Sequence, residues 1–464
     1  MPNQLANKLA RLVIPLALLV PGLVLVAYAG LWPQGRWGDE YFAFYVYRLA
    51  GALGEWIRLW QWSPRPVSEL LIFFYWQAVR AAGLPLVAPA LAAAWAILGI
   101  GLLAAAQPWA KPGRAARGAL VLTLPAIFLL GAPVSELFYW PFGALAYLPA
   151  LAAASYATLV LAGPGLRDPA NWIALSAVLS LGAASVEVGV FFALCTAPGL
   201  LVAASNGSGA SRRLRITASL VPLLAALMLL MMLLHGRVAA GAEMFGSPAR
   251  YHHIGLSLWL AAGQFTIEFL RPESGSIVAS VCVKLLVFFG TQTCLALAWP
   301  AAPARGPILA VLIGLAATAF LSIAGAYYNF GTLCCERHAA YRQALFILMV
   351  IAAAGLWRPG RAGVWGPVLL ALAVLVYLPP RIPALRTEYG LAHLRGAAWK
   401  AIFRSGRQPG AAPLDYPIAP NGPLFHYQIF PPGFYQLAQH PPSNATGPML
   451  FFGKDSMRAR VMTP

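Results

Sequence analysis

The chain has 464 residues, of which 60% are apolar and only 10% are charged, and its mean hydropathy is +0.70. Soluble domains carry about 25% charged residues, so this composition excludes a soluble enzyme. Long apolar runs without regular alternation predict an all-α polytopic membrane protein. We therefore interpret the net charge of +18 through the distribution of basic residues between the two sides of a membrane, and not as a sign of nucleic-acid binding.

The first predicted span follows two basic residues near the N-terminus. Lys8 and Arg11 precede an apolar run from Leu12 to about Trp32, which is long enough to cross a bilayer and favours a cytoplasmic start. The run is longer than a usual signal sequence, so we expect an uncleaved anchor. Ten further spans complete a set of eleven, near residues 86–106, 118–133, 139–163, 170–186, 188–204, 216–234, 277–299, 307–328, 340–356 and 363–379.

One apolar segment, residues 67–82, is predicted not to span. Counting it as a span would place the basic loop around Lys111 outside and break the charge pattern downstream. Glu69, Gln77 and Arg80 interrupt the segment, and its aromatic residues suit an interface. We therefore expect interfacial helices within a first external loop at 33–85.

This topology places almost all acidic residues on the external side. Asp168 is the one acid in the predicted cytoplasmic loops. The transmembrane domain is expected over 1–379, with further external pieces at 235–276 and in a Pro-rich C-terminal tail at 380–464. The basic residues left on the external side suit an anionic lipid phosphate or glycan.

An acidic pair directly follows the first span. Asp39 and Glu40 stand in Gly-Asp-Glu-Tyr-Phe at the expected start of an interfacial helix. Adjacent carboxylates can raise the pKa of one member, so that it accepts a proton as a general base. The alternative is a helix N-cap with acids in the first turn.

Two further residues lie at predicted external turns. Arg65 is flanked by Pro64 and Pro66, and its guanidinium suits a phosphate or carboxylate, or the interfacial belt. Glu136 lies between two spans beside three aromatic residues. Its carboxylate is a candidate for a metal, for sugar hydroxyls, for Arg65 or for an N-cap with Ser135.

The later external turns add one acid and several cations. Glu187 lies at the turn of the 170–204 hairpin and is a candidate substrate-binding residue. The alternative is an acid that is simply solvated in its loop. Arg337, His338 and Arg342 open the tenth span, where cations near a helix N-terminus suit a pyrophosphate or lipid phosphate. Lys284, inside the eighth span, is placed to reach the same phosphate. For these cations the alternative is snorkelling to the interface.

Motifs for nucleotide hydrolysis, zinc proteolysis and serine hydrolase chemistry do not occur in the sequence. The five cysteines form no Cys-x-x-Cys pair, so we expect packing residues rather than a zinc site or a disulfide framework.

The order of these features resembles the integral-membrane glycosyltransferases of the GT-C fold. It comprises one span, an external loop that begins with Asp39-Glu40, an in-plane helix introduced by Arg65-Pro66, a span ending in a basic loop, and an acid at the second external turn, Glu136. The similarity covers about the first 205 residues. The pair is Asp-Glu where many relatives have Asp-Asp, which leaves open which of the two acts.

The resemblance implies transfer of a sugar from a polyprenyl-phosphate donor to a hydroxyl of a cell-envelope glycan or lipid, on the external side of a bacterial inner membrane. The base would be Asp39, Glu136 would arrange the donor or a metal, and Arg337 or Arg342 would meet the donor phosphate. A divalent metal is the candidate cofactor, and donor, acceptor and membrane lipids are the expected partners. The alternatives are a flippase or transporter for a lipid-linked saccharide, an O-antigen polymerase or ligase, and a membrane scaffold.

Overall fold

The structure of the protein is a computed structural model. It describes residues 2–35, 37–38, 40–61, 64–107, 114–163, 166, 169–205, 209–244, 253–270, 276–298, 305–333, 335–357, 365–408, 412–427 and 430–462. The predicted base Asp39 and several charged residues used for the topology lie outside them: Lys111, Arg167, Asp168, Arg358 and Arg361.

Most of the described chain is helical, which confirms the predominantly α class. The first half contains α1 (Pro2–Ala29), α2 (Glu40–Ala50), α3 (Ala52–Gln61), α4 (Pro66–Ala82), α5 (Val87–Ala105), α6 (Arg114–Gly131), α7 (Ser135–Phe138), α8 (Pro141–Ala162), α9 (Pro169–Ala183) and α10 (Glu187–Ser205). The second half contains α11 (Gly209–Met244), α12 (Ile254–Leu270), α13 (Ile277–Ala298), α14 (Arg305–Phe330), α15 (Glu336–Leu356), α16 (Gly366–Tyr377), α17 (Arg381–Gly406) and α18 (Ser443–Phe452).

Several helices are long enough to cross a membrane, which indicates an integral membrane protein. Among the described residues, eight helices have the length and apolar composition of a span, or nine if α16 and α17, which meet at 64°, count as one. All eleven predicted spans fall on helices, but α16 and the apolar parts of α6 and α9 are shorter than the others. The exact number of spans therefore stays a prediction. An additional apolar helix, α12, lies in the predicted external piece 235–276.

The predicted interfacial segment forms α4, a helix of 17 residues that is not among those candidate spans. It begins at Pro66. Proline has no backbone N–H, but an N–H at the first position of a helix has no partner within the helix, so no hydrogen bond is lost. It ends at Gly83, whose φ of 61° suits glycine. Together α2, α3 and α4 make a helical first loop.

The centre of the bundle is α8, in which every residue is buried. Small residues let its neighbours approach closely. A Cβ added to Gly182 of α9 would lie 2.6 Å from the Cβ of Ala153, and one added to Gly101 of α5 would lie 3.0 Å from that of Ala152. Glycines in two neighbouring helices therefore set the spacing around α8.

The described residues between 381 and 462 form a folded unit. Its small sheet has the order β1-β3-β2 and is the exception to an all-helical fold. The strands are β1 (Leu414–Ile418), β2 (Gly433–Gln436) and β3 (Ser456–Val461), with β1 parallel and β2 antiparallel to β3. Helix α17 packs on β1, and α18 packs on α2 of the first loop.

Buried polar contacts join this unit to the helical bundle. Arg395 and Glu388, both on α17, form an ion pair with fully buried side chains. Arg395 also donates to Gln34 Oε1 at 2.7 Å, just after α1. Glu388 accepts the backbone N–H groups of Leu424 and Phe425. We call the end of the bundle on which this unit lies the tail face.

Candidate functional site

The acidic pair of the first loop lies at the start of α2, where Glu40 is fully buried. Glu40 Oε2 accepts the backbone N–H of Gly38 at 2.7 Å and the indole N–H of Trp140 at 2.9 Å. Two donors to one oxygen fix this carboxylate in place. Asp39, its neighbour in sequence, lies outside the described residues, but the residues on both sides of it are held firmly.

An aromatic cluster around Trp37, which we call the aromatic hub, secures this segment from the C-terminal unit. The ring of Trp37 lies 6.1 Å from that of Trp399, 5.1 Å from Phe403 and 5.8 Å from Phe451. Its indole N–H donates to Tyr75 of α4 at 2.6 Å. The C-terminal unit therefore packs directly against the segment that carries the acidic pair.

Glu136, the predicted acid of the second turn, pairs with Arg337. Glu136 Oε2 lies 3.3 Å from both the backbone nitrogen and Nη1 of Arg337. The same guanidinium stacks 5.2 Å from the ring centroid of Trp140, which in turn binds Glu40. Glu40, Trp140, Arg337 and Glu136 thus form one continuous chain of contacts.

A second ion pair joins Arg65 and Glu187, with Nη2 and Oε1 2.6 Å apart. Pro64 and Pro66 flank Arg65, and Glu187 begins α10. Burial alone would lower the pKa of Arg65, but Glu187, together with Tyr147 and Glu69, raises that pKa above its ordinary value. Arg65 therefore stays charged, and its partner is Glu187 rather than Glu136.

Tyr147 and His338 connect the two ion pairs. The Tyr147 hydroxyl lies 2.6 Å from Nε2 of His338. Arg337, Arg65 and Glu187 are all close enough to act electrostatically on Tyr147. We call the set around this tyrosine the ionic cluster. It consists of Glu40, Arg65, Glu136, Trp140, Tyr147, Glu187, Arg337 and His338.

The cluster is nearly balanced in charge, because each arginine already faces a carboxylate. The side chains of both arginines keep 25% of their surface exposed, and those of Glu136 and Glu187 keep 15%. A guanidinium has five N–H donors, so one carboxylate does not exhaust it. An incoming anion would share each arginine with its glutamate.

Arg342 and Lys284 are placed apart from this cluster. Arg342 Nε and Nη2 bind the two carboxylate oxygens of Glu268 on α12 at 2.6 and 2.8 Å, and both side chains are almost fully buried. Arg337 and Arg342 therefore face different carboxylates rather than converging on one anion. Lys284 donates to Ser280, and its Nζ lies 5.1 Å from the ring centroid of Phe269.

The roles of three residues were not predicted from the sequence: Glu268, Trp140 and Tyr147. A single acid in the apolar run 254–270 was the available signal for Glu268, since a charge there is costly unless it is paired. A second group was also missed: buried Glu69 accepts from Tyr47 and from Arg58 Nε, each at 3.0 Å, and ties the first-loop helices together. Burial, followed by the Glu69 charge, raises the pKa of Tyr47.

One cysteine departs from the packing role expected for all five. Cys335 is disulfide-bonded, so the expectation of unbridged packing residues is wrong there, whereas Cys195, Cys282 and Cys294 are free. Within the described ranges, no group of three or more His, Cys, Asp or Glu side chains is arranged to hold a metal ion.

Comparison of the chain with models of protein families, with curated proteins and with solved structures finds no match. The long apolar helices indicate that the protein is an integral membrane protein.

Proposed function

We propose that the protein is a membrane glycosyltransferase of the GT-C type. It would move a sugar from a polyprenyl-phosphate donor to a hydroxyl of a cell-envelope glycan or lipid, with inversion, on the outer side of a bacterial inner membrane. The observation that supports this proposal is the contact chain from Glu40 through Trp140 and Arg337 to Glu136. It unites residues from three widely separated parts of the chain.

In this mechanism Asp39 is the base and Glu40 is its anchor. Glu40 is buried and holds two N–H donors, so it suits a positioning role. The Asp39 carboxylate takes the proton of the acceptor hydroxyl as the acceptor oxygen attacks the anomeric carbon. The bond from that carbon to the phosphate oxygen breaks on the opposite face, and its electron pair leaves with the lipid phosphate.

The arginines of the ionic cluster would stabilise the departing phosphate. Arg337 and Arg65 are partly exposed and have donors beyond those bound to Glu136 and Glu187. The negative charge on the phosphate grows as the bond breaks, so cationic donors stabilise the transition state more than the bound donor.

The test is transfer from a panel of polyprenyl-phosphate sugars by the purified full chain in lipid. A general base contributes about 10²- to 10⁴-fold, so Asp39→Asn should lower the rate by at least that lower factor. Asp415→Asn, on the C-terminal sheet, is the matched control and should transfer normally. Full transfer by Asp39→Asn in folded protein would overturn the assignment of the base.

The buried Glu268–Arg342 pair and Lys284 favour a second candidate, a flippase or transporter for a lipid-linked saccharide. Ionisable side chains inside membrane helices are typical of translocation pathways. A flippase needs no base, so Asp39→Asn would keep moving a fluorescent lipid-linked sugar across proteoliposomes. Glu268→Gln would stop that movement.

A further inference from the structure

Helix α17 follows the tail face at the level where several other helices end. It begins where the Arg381 guanidinium donates to the carbonyls of Leu130 and Ala132, at the end of α6. Farther along, the Tyr389 hydroxyl donates to the Ala27 carbonyl at 2.6 Å, near the end of α1. Just after α17, Arg407 binds the Gly83 carbonyl between α4 and α5. Three such anchors hold α17 across the ends of α1, α4 and α6, and we take these ends as the membrane boundary.

The exposed basic residues of α17 lie on one side of this helix. At 100° per residue, Arg386, His393, Lys400 and Arg404 fall within about 60° of Tyr389. All four are exposed. We call them the basic stripe. Glu388 is the one acid in α17, and it is buried against Arg395, so no carboxylate of this helix neutralises the stripe.

Tyr389, which lies on this side of α17, contacts α1. The basic stripe therefore faces the edge of the bundle. Near that contact, α1 exposes an apolar strip with a helical spacing of three and four residues. The strip consists of Leu16, Leu19, Leu23 and Val26, which are 53–70% exposed. Acyl chains can lie along such a strip, and their head groups then reach the level of Tyr389.

We propose that the basic stripe and the apolar strip of α1 together form a binding site for an anionic phospholipid. The stripe extends over about 27 Å, so it binds the phosphates of neighbouring head groups, and the strip contacts the acyl chains of the lipid beside Tyr389. Amphipathic and cationic side chains at this depth are typical of lipid recognition. A free phosphate would satisfy the cations but not the strip, so the lipid is the ligand that fits both. The site is separate from the ionic cluster and does not depend on sugar transfer.

The experiment uses the full chain in phosphatidylcholine nanodiscs that contain a minor fraction of phosphatidylglycerol. Native mass spectrometry measures how strongly the anionic lipid is retained over the zwitterionic one. Each cation near an anionic surface contributes about fivefold in affinity, so Lys400→Gln/Arg404→Gln should weaken retention by about 25-fold. The charge-preserving Lys400→Arg/Arg404→Lys should retain the lipid.

The matched control is Arg458→Gln/Arg460→Gln, which removes two exposed cations from β3 of the C-terminal sheet. It should retain the lipid like the unmodified protein. Equal loss in both double variants, or unchanged retention in the stripe variant, would overturn the proposal. If the stripe variant does not fold, Arg386→Gln should weaken retention by about fivefold relative to the single control Arg458→Gln. Complete displacement of the lipid by inorganic phosphate would replace the lipid site with a simple phosphate site.

Discussion

The indole N–H of Trp140 donates a hydrogen bond of 2.9 Å to Glu40, 100 positions earlier in the chain. Trp140 directly precedes the central helix α8, whereas Glu40 begins the first helix of the first loop. This bond therefore fixes the acidic pair relative to the most buried part of the bundle.

Replacement of this donor should disturb the acidic pair while keeping an aromatic ring. In Trp140→Phe, Glu40 Oε2 loses one of its donors inside the protein, which costs about 1–3 kcal/mol. We expect a lower melting temperature and, if the proposed transfer is correct, at least tenfold slower transfer, since misplacing a reacting group by about 1 Å costs on the order of 10²-fold. Trp365→Phe, at an exposed position, is the control and should change neither quantity.

The aromatic hub should control access to the segment around Asp39. Gly38→Cys introduces a reporter there, because a Cβ at Gly38 would meet no atom within 4 Å. In a background in which the exposed Cys282 is replaced by serine, Phe403→Ala should speed thiol labelling of this reporter by at least about tenfold, since it removes a ring buried against Trp37.

Phe434→Ala removes a half-exposed ring of the same C-terminal unit and should leave the labelling rate of Gly38→Cys unchanged. An equal increase in both variants would mean that the unit loosens as a whole. In that case the hub would have no specific effect on the first loop.

The Glu268–Arg342 pair should show strong coupling. Removing one partner of a buried ion pair leaves an uncompensated charge and costs about 3–5 kcal/mol. Glu268→Leu and Arg342→Met should therefore each lower the melting temperature strongly. The double variant should recover most of the loss, because no buried charge remains. Thermal unfolding of the four proteins in one detergent measures this cycle, and simple additivity would contradict the prediction.

Close approach of α9 to α8 gives a stability test that involves no charge. Gly182→Ala places a Cβ 2.6 Å from that of Ala153, which forces the helices apart and should cost about 1–3 kcal/mol. Gly99→Ala, also within a helix, meets no atom within 4 Å and should be neutral or stabilising by about 1 kcal/mol. The difference between their melting temperatures measures the contact.

Much of the ionic cluster could be predicted because it depends on which helix ends share a face of the bundle. Glu136 and Arg337 are 201 positions apart, yet each was assigned to the same side by counting spans, and the structure brings them into contact. Counting spans does not show which residues on that side form ion pairs with each other. Both arginines and both glutamates were predicted, but the pairing of Arg65 with Glu187 depends on packing around Tyr147, which no sequence pattern reveals.

Other elements could not be predicted, for distinct physical reasons. Glu268 was assigned to a long loop because α12 has only 17 residues, and apolar runs of that length do not distinguish a loop piece from a helix inside the bundle. In the C-terminal unit, β1 pairs in parallel with β3, although about 40 residues separate them. Short strands that pair over such distances leave no periodic signal.

The anchors of α17 also determine how the tail face can change shape. The ends of α6 and α1 and the junction after α4 are each bonded to α17 or to the residue just after it, through Arg381, Tyr389 and Arg407. Separating these three ends would break all three contacts at once. Among the residues that the structure describes, no hydrogen bond joins α17 to α12, and much of the surface of α12 is exposed. Widening of the bundle beside α12 is therefore opposed by the Glu268–Arg342 pair and not by α17.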